Sequence, residues 1–192
     1  IHTWAQLAAH ISLESLVILG DAILTAIARK PGLANGRTAD GIYQDFVRQV
    51  TGLPKFNAKS KCMIALAFIT PRVDSPMESK TRIATTKYGL PPAVTNYTVP
   101  GATFSNGAPI TLDLAWPEFR VAIEYDGDHH RTDKNQWRRD NDKRELLRHH
   151  HWIVIIATAT NMADEPSQAE LAYRVGRQLA LRGAIFDFTL TA

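Results

Sequence analysis

Asp113, Glu124 and Asp126 are the residues whose types and spacing could do chemistry, and Gly127, His129 and His130 follow them closely. They fall in two short segments, 110–116 and 120–126, that read as strands. Side chains alternate across a strand, so Thr111, Asp113 and Ala115 share one face while Leu112, Leu114 and Trp116 share the other. In the second segment Ala122, Glu124 and Asp126 oppose Val121, Ile123 and Tyr125. A hairpin loop of two or four residues sets Asp113 on the face of Glu124, opposite it or one diagonal step away; a three-residue loop does not. Carboxylates this close disfavour one another's ionisation. A divalent cation removes the conflict and takes oxygen ligands. Asp113 or Glu124 alone reads as a solvated edge that meets lysine or arginine. The three acids together, with the histidines behind them, point to a metal site.

The positioning elements can be read in order. Residues 1–73 read as helices, with Thr3 and Ser12 as N-caps and Leu13, Leu16, Val17, Ile23, Leu24 and Ile27 near helical spacing. Pro31-Gly32 ends that run, and two more helices are expected at 38–50 and 58–69. A boundary near 71–74 separates this helical accessory region from a second domain at 74–192. Ser75-Pro76-Met77-Glu78 opens a helix with Ser at the N-cap, Pro at N1 and Glu at N3, and Gly89 closes it. A strand at 94–99, a Gly/Asn loop at 101–107, the two acidic strands, a basic helix at 132–149, a strand at 152–158 and a helix at 166–182 follow. The order α-β-β-β-α-β-α predicts an α/β fold, a mixed sheet flanked by helices behind an N-terminal helical region.

Composition sets the outer limits. With 192 residues and 45% hydrophobic content, the chain can bury one good core, or one core and a small satellite. No apolar stretch is long enough for a membrane span, and the first residues, Ile1-His2-Thr3-Trp4, do not read as a signal peptide. A start at isoleucine rather than methionine suggests a fragment or an unobserved beginning. The single cysteine, Cys62, excludes an internal disulfide and fits a reducing cytoplasm. The net charge of +3 does not by itself suggest nucleic acid. Its distribution says more: Arg131, Lys134, Arg138, Arg139, Lys143, Arg144 and Arg148 outnumber Asp133, Asp140, Asp142 and Glu145 within one helical stretch. Such a stretch can face phosphates, or be an ordinary solvated helix face.

Asp113, ten intervening residues and then Glu124-Tyr125-Asp126 resemble the signature of PD-(D/E)XK nucleases. More narrowly, "DLAWPEFRVAIEYDGDHH", a basic helix and "HWIVIIA" are similar to the very-short-patch-repair (Vsr)-like endonuclease branch. Glu124, Asp126, Gly127 and His130 match that branch's ExDG-x-x-H element, and Asp140, Arg144 and Leu147 resemble the spaced Asp, Arg and Leu of its helix. The resemblance covers roughly residues 75–183. It implies a restriction-endonuclease-like sheet and a metal-dependent endonuclease that hydrolyses phosphodiester bonds of DNA. Many proteins of this kind carry helices ahead of the nuclease domain, preceded by a further segment that this chain would lack.

On that resemblance, Asp113, Glu124 and the Tyr125 carbonyl would hold Mg²⁺ or Mn²⁺, and His130 would act as general base. Asp126 would bind a second ion or orient the histidine. Arg138, Arg139 and Lys143 would hold the DNA backbone. Glu78 has two readings, a capping-box acid accepting from the Ser75 N–H or an acidic residue supplied to the metal site. Three departures stand out. Asp126 replaces the usual lysine, leaving His130, with His129, Lys143 and Arg139 as alternatives, to activate water. His151 stands where relatives often have Gly, and Ile156 where many have Arg. The run His149-His150-His151 reads as a C-terminal cap rather than a metal site, since consecutive helical residues point in different directions. The alternative function is a catalytically inactive nucleic-acid-binding or regulatory module on the same fold, with the N-terminal helices meeting a protein partner. An intact Asp113, Glu124 and His130 set favours the enzyme; a salt bridge sealing the carboxylates favours the alternative.

Overall fold

Helix caps organise the first of two compact units, Ile1–Ile83. The structure, a computed structural model, describes residues 1–127 and 134–189, the side chains of 134–138 excepted. Helix α1 (His2–Leu7) has Ile1 at its N-cap and no side-chain cap, so Thr3, expected there, lies inside the helix. Ser12 Oγ accepts from Ser15 N and opens α2 (Leu13–Ala28). Pro31 then sits in the first turn of the short α3 (Pro31–Ala34). Thr38 Oγ1 accepts from Gly41 N and opens α4 (Ala39–Gly52), and α5 (Lys59–Phe68) follows. Trp4, Leu16, Leu24, Phe46, Val50, Cys62 and Leu66 form a buried core. The Trp4 ring stands edge-on to Phe46 at 5.1 Å, and its N–H donates to Leu16 O at 2.9 Å.

Helix α6 (Pro76–Lys87) spans the division between the units, which falls after Ile83, later than the sequence boundary near 71–74. Its first half is tied into the first unit by a buried polar knot. Asp21 accepts from Ser79 Oγ at 2.7 Å, from Arg82 at 2.8 Å and from Thr70 N at 2.8 Å. Burial pushes the Asp21 carboxyl up, against the Arg82 guanidinium and these donors. The other end of α6 closes as a Schellman motif. Gly89, at φ 81°, donates to Thr86 O, and Leu90 N donates to Thr85 O. A Cβ on Gly89 would lie 2.2 Å from the Asp187 carbonyl oxygen, so this position requires glycine for space as well as conformation.

The second unit, Ala84–Ala192, carries a mixed four-stranded sheet flanked by helices. Strands β1 (Val94–Thr103), β2 (Pro109–Trp116), β3 (Val121–Tyr125) and β4 (Ile153–Ala157) lie in that order. The first three are antiparallel neighbours, and β3 and β4 run parallel through the crossover helix α7 (Lys134–His149). Strand β1 is longer than expected: an irregularity between Thr98 and Thr103 lets the ladder continue into the glycine-containing segment. Helix α8 (Glu165–Leu181) buries Leu171, Val175 and Leu179 and packs on β3 and β4. Leu112, Leu114, Trp116, Val121 and Ile123 are buried, as the apolar strand faces predict. Among the described residues no helix is long and apolar enough to cross a membrane.

Candidate metal centre

The hairpin register decides where the acids meet. Trp116 pairs with Val121, Ala115 with Ala122 and Leu114 with Ile123, leaving a four-residue loop at 117–120. One further step sets Asp113 opposite Glu124 on the face of Ala115 and Ala122. Both alanines are fully buried, in the core cluster that includes Leu147 of α7. Asp113 Oδ2 accepts from Tyr125 N at 2.8 Å, so the neighbouring strand fixes that carboxylate. Glu124 Oε1 and Oε2 accept from the Lys143 ammonium at 2.6 and 2.7 Å, each side chain being 20% exposed. Burial lifts the Glu124 carboxyl from the ordinary 4.5 to about 7. Lys143 pulls it down, and the charges of Asp113 and Asp140 push it up.

These groups line a cleft of about 250 Å³, with Tyr125, Asp126, Gly127, Asp140 and Arg144 around them. Leu147, Val154 and Ile156 supply its apolar wall. Asp140, Lys143, Arg144 and Leu147 recur at helical spacing, and buried Leu147 turns that edge of α7 towards the sheet. Ile156 brings an apolar side chain to the cleft, while Arg144 brings a guanidinium from the helix.

The expected site residues divide into groups. Asp113, Glu124, Tyr125, Asp126 and Lys143 come together in the cleft. Arg139 is exposed, with its guanidinium 5.8 Å from the centre of the Phe104 ring. His129, His130 and the Arg138 side chain lie outside the described residues. Glu78 belongs to the first unit, where its N–H donates to Ser75 Oγ and its carboxylate accepts from Asp74 N at 2.9 Å. That is one residue before the Ser75 N–H expected from a capping box. Lys143, expected on the DNA backbone, pairs with Glu124 in the cleft. Asp140, which the sequence places only in the helix pattern, joins the cleft. The Asp140, Lys143, Arg144 and Leu147 spacing is the signal that marks both as facing the sheet.

The donor set suits a hard divalent ion that keeps part of its water. Among the described residues no group of three or more His, Cys, Asp and Glu side chains stands ready to hold a metal. Two opposed carboxylates and the Tyr125 backbone could supply oxygens, and the Lys143 ammonium already neutralises one of the acids. Burial and the charges of Asp113 and Asp140 disfavour the ionised Glu124 carboxyl, a cost that a proton or a cation at its oxygens offsets.

No family model matches the chain, and no solved structure matches it. Two Mycobacterium tuberculosis proteins, from strains CDC 1551 and H37Rv, are each 29% identical to it over 114 residues. The alignments cover 59% of this chain and 40% of those proteins, both described as uncharacterized. The chain thus spans less than half the length of the curated relatives it matches.

Proposed function

We propose that the second unit is a divalent-metal-dependent endonuclease of the PD-(D/E)XK type, Vsr-like, that hydrolyses phosphodiester bonds of DNA. The reading is supported above all by the opposition of Asp113 and Glu124 on one sheet face, in a cleft that also offers cations. Asp113 and Glu124, with the Tyr125 carbonyl, would hold Mg²⁺ or Mn²⁺, which when bound polarises a phosphate and acidifies water. Tyr125 N holds Asp113 in place for this task. Asp126 lines the same cleft and is exposed, so it can take a second ion or orient an incoming group. His130 remains the proposed general base, following the acidic strand by four residues of sequence after Asp126. Arg144 lines the cleft and Arg139 lies on the same helix, both suited to phosphate. The restriction-endonuclease-like form of the sheet belongs to this proposal, as does a cytoplasmic site of action.

One observation favours a second reading. The Lys143–Glu124 ion pair seals one of the two carboxylates, as a catalytically inactive nucleic-acid-binding or regulatory module would. Nicking of supercoiled plasmid in Mg²⁺ separates the two. The endonuclease reading expects cleavage by wild type, abolished by EDTA and by Asp113→Asn. DNA binding without cleavage, unaffected by Asp113→Asn, would replace it with the binding module. A protein partner for the N-terminal helices stays a proposal on either reading.

A further inference from the structure

We propose that Lys143 is a tethered cation that occupies the metal's place at Glu124 and must be displaced for a divalent ion to enter; this rests on the metal-site reading above. The geometry points there directly. The ammonium lies 2.6 and 2.7 Å from the two Glu124 oxygens, the region a cation held by that carboxylate would fill. Both carboxylate oxygens already accept from the ammonium and four-fifths of each side chain is buried, so an ion taking the same oxygens meets the lysine's positive charge at short range.

The pair is also built to exchange. Leu147, one turn along α7 and 1% exposed, anchors the helix against the sheet cluster that includes Ala122 and Trp152. Lys143 is joined to that fixed backbone by a flexible four-carbon stem, so its ammonium can leave while the helix stays. Asp126 and Asp140 line the same cleft and offer the released ammonium other anionic positions. A lysine so placed neutralises Glu124 in the metal-free protein and competes with the ion for it. It therefore sets a threshold of metal concentration for filling the site.

Competition makes a prediction opposite to that of a supporting residue: removing the lysine strengthens metal binding. The test follows the free-Mn²⁺ electron paramagnetic resonance signal during titration of wild type, Lys143→Met, Lys143→Arg, Arg144→Met and Asp113→Asn at mildly alkaline pH. Lys143→Met should bind Mn²⁺ at least about tenfold more tightly than wild type, since the two charge-assisted hydrogen bonds to Glu124 no longer compete. Lys143→Arg, which keeps the charge and the donors, should stay near wild type. Arg144→Met removes a charge from the same cleft and should change affinity by roughly threefold at most, since an exposed charge is screened. Lys143→Gln is a second neutral variant and should shift affinity in the direction of Lys143→Met, with thermal unfolding confirming that each is folded.

Equal or weaker binding by both neutral variants, with Asp113→Asn still weakening it, would overturn the tethered-cation proposal and leave the metal site standing. An equal gain in Arg144→Met would also overturn it, assigning the effect to the general field of the cleft. Absence of any Asp113-dependent Mn²⁺ binding in wild type and variants alike would remove the metal site itself, and the proposal with it.

Discussion

Replacing Glu124 with Gln should make the metal-free protein more stable above neutral pH and leave it almost unchanged near pH 4.5. The folded carboxyl titrates at about 7 against an ordinary 4.5, burial being the main cause. A carboxyl whose folded pKa is raised binds more protons folded than unfolded across that interval. Wild-type stability should therefore fall as pH rises from 4.5 to about 7 and level off above it. The gap corresponds to about 3 kcal/mol between the neutral and ionised forms. Glutamine keeps the shape and one acceptor for Lys143 and cannot ionise, so it should recover about 2–3 kcal/mol at pH 8 and almost nothing at pH 4.5. Urea unfolding of both proteins in EDTA, followed by tryptophan fluorescence between about pH 4.5 and pH 8, reads the difference directly. A wild type that gains stability across the interval, or a variant less stable than wild type at pH 8, would refute the account of Glu124 as a strained buried acid. It would show instead that the Lys143 pair is a net stabilising structural bridge.

Two further outcomes follow from α7. The double variant Arg138→Ala with Arg139→Ala should flatten the salt dependence of DNA binding by about two units of slope if both arginines neutralise phosphates; an unchanged slope would assign them to a solvated face. His151 holds φ 60° at the end of α7, where its N–H donates to Arg148 O and Trp152 N donates to Leu147 O. This is a Schellman motif with histidine in the position that favours glycine. His151→Gly should raise stability by about 1 kcal/mol in thermal unfolding, and a loss would contradict the strain.

Alternation makes much of the second unit legible in its amino-acid order, and capping much of the first. The acidic faces at Asp113 and Glu124 and the apolar faces at Leu114 and Ile123 follow from a period of two, which leaves only loop length open. The four-residue loop that closes the hairpin between Trp116 and Val121 settles it in favour of opposed carboxylates. Ser12 and Thr38 cap helices because their hydroxyls accept from amides three residues on; Thr3 does not, because α1 begins before it. The packing of α7 against the sheet is not legible in the same way. By charge alone, Lys143 is one of several basic residues on a solvated face. Its place depends on buried Leu147 turning that edge inward, a tertiary contact that charge counting does not register. The histidine at 151 shows the converse: the sequence displays the departure from glycine, and the φ angle reveals its conformational consequence.

Anomalous diffraction from a crystal of the full chain soaked in Mn²⁺ would show whether Asp113 and Glu124 form a metal centre. A strong anomalous peak is expected between these carboxylates, with the Lys143 ammonium moved away from Glu124, whether or not a second ion sits at Asp126. Crystals that bind Mn²⁺ only elsewhere or nowhere, with Lys143 still on both Glu124 oxygens, would contradict the metal centre.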